Sequence, residues 1–275
     1  MRATVWNPER HLTIDELSDP HPECGFCGSV RRLPSLVLQE EPLVRLLRCL
    51  TCGACSASRT PRALARGELR AVAHPERFAR YLLERGWPVT QVEEFRILEF
   101  GGGEGTLGLE LARLVRAAGA PNVTLLSIGE EAHPPPAADP RITVVTAGSL
   151  AEWAGPPVDY VVASSGLERV AEPRAVLLRL LEALKPAGVF YARTPTVVEF
   201  PAQLHDLGQA FWDGALDTLG LSGYRLRRSA PALVESSFSS APGRSAAAWL
   251  AKVPWWLLGQ RYALGGGWEV FIDRE

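Results

Sequence analysis

Residues 97–114 read ILEFGGGEGTLGLELARL. The first four residues suit a buried strand. Gly101, Gly102, Gly103 and Gly105 follow, and then leucines at 107, 111 and 114 with Val115. Apolar residues at that spacing share one face of a helix, and Gly119 supplies its stop. A strand that turns through glycines into a helix can bring its backbone close to a ligand, because no Cβ stands in the way. The helix start adds free N–H groups. Glu99 stands two positions ahead of Gly101. A dinucleotide fingerprint spaces its glycines G-x-G-x-x-G. An acid followed by G-x-G-x-G suits a ligand with a cationic amino-acid end better than a pyrophosphate.

Working outward, FRILEF, NVTLLSI, RITVVTA, VDYVVASS and VFYART read as five apolar strands. The helical stretch EPRAVLLRLLEALKPAG is expected to run to about Lys185 and Pro186, with Gly188 just beyond. YRLRRSAPALVE and WEVFID read as a final pair of strands. Strands alternating with helices predict an α/β fold, a Rossmann-like, doubly wound, mostly parallel sheet. Ligands of such sheets sit at the carboxyl ends of the strands.

All five cysteines lie between Cys24 and Cys55. CGFC (Cys24, Cys27) and CLTC (Cys49, Cys52) are two Cys-x-x-Cys knuckles. The spacing suits four thiolates on one structural Zn2+. Gly28 and Gly53 follow the pairs where a left-handed turn is needed. The Leu- and Val-rich SLVLQEEPLVRLLRC between them reads as a hairpin that carries the second knuckle. Four thiolates leave no open coordination position, so a catalytic zinc is not expected. Cys55 is left over, either as a free thiol or as an exchangeable fourth ligand. The expected organisation is a small zinc-ribbon module at 1–62, a helical linker at 63–93 and the Rossmann-like domain at 94–275. A Trp-rich insertion, holding Trp249, Trp255 and Trp256, falls at about 236–266. It reads either as a helix packed on the sheet or as a lid or contact surface, for a protein partner or a homodimer.

The chain has 275 residues, 47% of them hydrophobic, and a net charge of −2. That balance lacks the basic excess of a nucleic-acid binder. No apolar run is long enough for a membrane span, and the N-terminus lacks a signal-peptide pattern. A cytoplasmic protein with no membrane and no nucleic-acid partner is expected.

With these motifs in place, the chain resembles the class I S-adenosylmethionine-dependent methyltransferases. The closer resemblance is to the subgroup with an N-terminal four-cysteine zinc module, which includes sugar and natural-product methyltransferases. Glu99 to Gly105 match the family's acid-x-G-x-G-x-G loop. Leu167, Glu168, Arg169 and Val170 stand at its LEHV segment, with arginine in place of histidine. Leu184 to Gly188 stand at its LKPGG turn, with Ala187 for one glycine. QLHDLGQAFWDGALDTLGL resembles its histidine-containing segment. The resemblance implies S-adenosylmethionine as cofactor and a small-molecule acceptor. It implies Glu99, Gly101, Gly103, Gly105, Ser127, Glu130 and Ser164 as cofactor-binding residues, and His205 and Tyr191 as catalytic candidates, with Arg193 next.

The chain departs from the family at two acids. Ser127 stands where an acid holds the ribose hydroxyls, with Glu130 and Glu131 close by. Gly148 stands where an acid reads the adenine amino group, with Glu152 as its substitute and Trp153 placed to stack on the adenine. An alternative reading follows: a catalytically inactive relative that serves a partner enzyme as a binding subunit. His133 lies in a proline-rich loop, EEAHPPPAADP, expected to shorten or replace the helix after the second strand.

Overall fold

The structure is a computed structural model that describes residues 11–63, 75–86, 93–103, 105–129, 139–164, 166–194, 200–232 and 267–275, together with Ala246, Leu250 and Val253. The N-terminal part folds as a hairpin, β1 (Arg32–Gln39) and β2 (Val44–Cys49), followed by β3 (Cys55–Ala57). The expected hairpin is present, and Cys49 ends its second strand. The linker contributes α1 (Pro75–Gly86), with Phe78, Ala79 and Leu82 buried on one face.

The larger part begins with β4 (Glu94–Phe100), α2 (Thr106–Ala117), β5 (Asn122–Ile128), β6 (Ile142–Ala147) and β7 (Val158–Ser164). It continues with α3 (Pro173–Glu182), β8 (Leu184–Thr194), β9 (His205–Asp206), α4 (Gln209–Trp212) and α5 (Ala215–Leu219). It ends with β10 (Tyr224–Pro231) and β11 (Trp268–Arg274). The seven-stranded sheet has the order β10-β11-β8-β7-β4-β5-β6. β4 to β8 are parallel, and β11 runs antiparallel between β8 and β10. The order reverses direction at β4, so the glycine loop leaves the sheet at its topological switch point, where open α/β sheets bind ligands.

Side chains alternate across each strand and sort into two cores. Leu98, Phe100, Ile128, Val161, Phe190 and Ala192 face α3, α4 and α5. Phe95, Ile97, Leu125, Tyr160, Val162, Tyr191 and Phe271 face α1 and α2.

Two sequence expectations change. α3 stops at Glu182, ahead of Lys185, because Ala183 and Leu184 already join the sheet. Val158 pairs with Leu184 and Tyr160 with Val189, so the residues between bulge out, with Ala187 left-handed at φ 62°. Lys185 Nζ meets Asp159 Oδ2 there at 2.8 Å. The boundary at residue 62 also divides the chain without dividing the packing. The module's sheet has the order β1-β2-β3-β9, and its fourth strand, His205–Asp206, comes from the larger part. Of the Trp-rich segment, only Ala246, Leu250 and Val253 are among the described residues, so Trp249, Trp255 and Trp256 lie outside them. No described helix is long and apolar enough to cross a membrane.

Candidate functional sites

The four knuckle cysteines converge. Their sulfurs all lie within 4.8 Å of one another, with Cys24 to Cys52 at 3.6 Å and Cys27 to Cys49 at 3.5 Å. Tetrahedral Zn2+ with Zn–S bonds near 2.3 Å needs edges of roughly 3.8 Å, so the donor set fits the metal. Gly28 (φ 72°) and Gly53 (φ 77°) make the left-handed turns, and their N–H groups donate to Cys24 O and Cys49 O. Thr51 N–H points at Cys49 Sγ, 3.4 Å away. Such donors favour the thiolate a metal requires. Cys55 lies outside the cluster, on β3 opposite Arg48 and Asp206.

The knuckles are built into the larger part. A Cβ on Gly53 would stand 2.7 Å from Ala210 on α4. Phe26, fully buried, packs on Phe211 at 4.6 Å and edge-on to His205 at 5.7 Å. Arg174 of α3 donates to Phe26 O at 2.6 Å. Cys24, Cys49 and Cys52 share one apolar cluster with Phe190 and Trp212.

The glycine loop has the conformation its composition predicts. Gly101, Gly103 and Gly105 have φ of 68°, 61° and 67°. Gly105 precedes the first turn of α2. A Cβ on Gly101 would lie 2.7 Å from Gly166 Cα, so the segment after β7 rests directly on the loop. Glu99 is buried rather than open to the cleft. Its Oε2 accepts the Gly108 N–H at 3.1 Å, and a Cβ on either Gly102 or Gly108 would collide with its carboxyl group. Glu99 therefore anchors the loop to the start of α2, where helix N–H groups lack internal partners. Burial raises its pKa to about 8, opposed by the Gly108 hydrogen bond.

Ser127, beside Glu99 in register, is 1% exposed, and its hydroxyl has no partner among the described residues. Ser164 ends β7 opposite Arg193. Glu130, Glu131, His133 and His74 lie outside the described residues. Glu152 turns its carboxylate to Gly148 N (3.1 Å) and Ser149 Oγ (3.0 Å) of its own turn. Trp153 is buried in the cluster on the α3 side.

The two catalytic candidates sit elsewhere than the resemblance implies. His205 is buried on β9. Its Nε2–H donates to Val170 O at 2.8 Å, which leaves Nδ1 to accept from Ser56 Oγ at 3.0 Å. Both nitrogens are engaged, and burial lowers its pKa to about 4. That setting ties β9 to the module and does not suit a general base. Tyr191 is fully buried between Phe78 (5.9 Å) and Phe271 (4.8 Å). Burial, reinforced by the Glu269 carboxylate, pushes its phenol well above the usual range.

Sequence reasoning missed two buried carboxylates. Glu168 is fully buried, and neither of its oxygens has a hydrogen-bond partner in another described residue. Burial raises it to about 7, opposed by its own backbone N–H and then by Arg169 and Arg193. Glu269, also fully buried, takes hydrogen bonds on Oε1 from Tyr81 Oη and from Arg228 Nε, the latter at 3.3 Å. The available signal was an acid inside the apolar run WEVFID, since acids are almost never fully buried without a reason.

The methyltransferase-domain family matches residues 57–228. The chain belongs to that family. The match starts at the last residue of β3, after all five cysteines, and ends within β10, so the cysteine cluster and Glu269 lie outside it. No curated protein matches the chain in sequence. Solved structures similar to this methyltransferase domain include the glycopeptide N-methyltransferase MtfA complexed with S-adenosyl-L-methionine. It is 17% identical with a TM-score of 0.44, over 74% of this chain and 95% of that one. A methyltransferase from Mesorhizobium loti is 17% identical at 0.44, over 72% and 96%. The [4+2]-cyclase SpnF is 17% identical at 0.44, over 73% and 81%.

Proposed function

We propose that the chain is an S-adenosylmethionine-dependent methyltransferase acting on a small-molecule acceptor, a sugar or natural-product intermediate, with a structural Zn2+ on Cys24, Cys27, Cys49 and Cys52. The observation that carries this reading is the left-handed glycine loop at the switch point, pinned by Glu99, with the orphan Ser127 hydroxyl beside it. A buried hydroxyl without a partner costs about 1–3 kcal/mol. A ribose hydroxyl would supply that partner, because serine can both donate and accept.

In this reading, Gly101, Gly103 and Gly105 let the backbone meet the amino-acid end of the cofactor. Glu99 acts through the loop, holding it against α2. Ser127 and Glu130 are assigned to the ribose, Glu130 from the sequence alone, and Ser164 to the floor of the cleft. The bound cofactor supplies an electrophilic methyl group. The chain supplies alignment of the acceptor and exclusion of water, chiefly a proximity effect.

Titration calorimetry with S-adenosylhomocysteine tests the assignment. Binding in the micromolar range is expected, with at least a 100-fold loss in Gly103→Val, whose β-branched side chain is strained at φ 61°. A folded, zinc-loaded protein that takes up no heat-detected ligand would sink this reading and leave the non-catalytic binding subunit standing.

A further inference from the structure

The face of the sheet under α1 holds a polar cluster that the glycine loop does not use. Glu269 pairs in register with Arg193 at the carboxyl end of β8, and Phe271 with Tyr191 one step deeper. All four therefore point to the same side. Tyr81 of α1 and Arg228 of β10 hold Glu269 Oε1. Glu269 Oε2 and Tyr191 Oη are buried and have no hydrogen-bond partner among the described residues. The Arg193 guanidinium lies over the Phe78 ring, 5.5 Å from its centre. Two such orphans on adjacent strands, each costly when buried without a partner, ask for a guest that donates to a carboxylate oxygen and accepts from a phenol.

We propose that Glu269 and Tyr191 form the binding site for a neutral hydroxyl group of a small aromatic molecule, reached from the carboxyl edge of the sheet beside Arg193. The charges select the class. An ammonium would meet Arg193 and Arg228 as like charges, and a carboxylate would meet Glu269. A neutral hydroxyl meets neither penalty and satisfies both orphans. The rings of Phe78, Tyr81, Tyr191 and Phe271 pack on one another around these groups, an aromatic setting that suits a flat ring edge-on or offset. Glu269 is a binding and positioning residue here. That the guest is the methyl acceptor rests on the methyltransferase reading; the subsite itself does not.

The test uses the full zinc-loaded chain with phenol and anisole as probes, followed by ligand-detected NMR, with and without S-adenosylhomocysteine. Phenol should bind at least tenfold more tightly than anisole, which cannot donate. In Glu269→Gln the amide becomes a donor, so the preference for phenol over anisole should vanish. Tyr191→Phe should weaken phenol about tenfold; its hydroxyl has no partner among the described residues, so this variant keeps the test open if the first does not fold. Equal binding of phenol and anisole to the parent, an unchanged preference in Glu269→Gln, or an unchanged phenol affinity in Tyr191→Phe would overturn the subsite. Failure of S-adenosylhomocysteine to bind would strike the methyltransferase reading alone, because the phenol measurement needs no cofactor.

Discussion

The two faces of the seven-stranded sheet are closed in different ways. One face is apolar from β11 to β5 and is covered by α3, α4, α5 and the cysteine knuckles. The other is covered by α1 and α2 and carries a row of polar groups towards the carboxyl edge: the buried Ser127, Glu99, Ser164 and Glu269, and the half-buried Arg193. The first face needs only burial, at about 25 cal/mol per Å2 of apolar surface. Both faces leave polar atoms without partners among the described residues, Trp153 Nε1 and Trp212 Nε1 on the first, and Ser127 Oγ, Tyr191 Oη and Glu269 Oε2 on the second, where natural cores keep such atoms to a few. The cysteine module packs into the first face, while the glycine loop is anchored by Glu99 on the second.

The largest test of that division is metal removal. If the knuckles are part of the first core, chelation or Cys49→Ser should do more than unfold residues 11–63. A structural Zn2+ site contributes on the order of 10 kcal/mol in small modules. Its loss here should expose the Phe26–Phe211–Trp212 contacts and unfold the module and the α4–β8 region in one transition. Hydrogen exchange by mass spectrometry reads this directly. Continued protection of β8 and α4 in a metal-free chain would show that the module is an appendage.

Much of this arrangement was legible in the sequence. The glycine loop, the hairpin, the knuckles and the alternation of strands and helices follow from period, spacing and turn residues, all local signals. The buried acids were not legible, for a physical reason. Glu269 and Glu168 look like surface residues until non-local pairing puts Glu269 under Tyr81 and Arg228. His205 shows the opposite error: a histidine in a segment resembling a functional one became a cross-link, because β9 pairs with β3 across roughly 150 residues of chain.

That cross-link makes the next prediction. His205 is neutral in the folded chain with a pKa of about 4, below its ordinary 6.5. Above pH 6.5 its contribution to stability is complete. As pH falls from 6.5 towards 4 the unfolded chain takes up a proton that the folded chain refuses, and stability drops. The full shift corresponds to roughly 3 kcal/mol. His205→Gln retains a donor for Val170 O and an acceptor for Ser56 Oγ. Its urea-unfolding free energy should therefore fall less steeply than the parent's between pH 6.5 and 4.5. Parallel slopes for the two proteins would mean that the imidazole is not what senses pH at the module junction.

The smallest expected effect separates docking of the knuckles from metal binding itself. Arg174 reaches from α3 to the carbonyl of Phe26, inside the first knuckle, and to Thr218 O at 3.4 Å. Arg174→Met keeps the aliphatic stem and removes the charged donor. A hydrogen bond from a charged group contributes about 1.5–3 kcal/mol, and partial exposure of this one favours the lower end. The variant should keep its zinc, because no sulfur loses a partner, yet unfold with a midpoint several degrees lower. The shift should appear equally in probes of the module and of β8, since the carbonyl it satisfies lies where the two share a core. A loss confined to the module would place the boundary of cooperative folding between Phe26 and α3, and the cysteine face would then be two cores in contact rather than one.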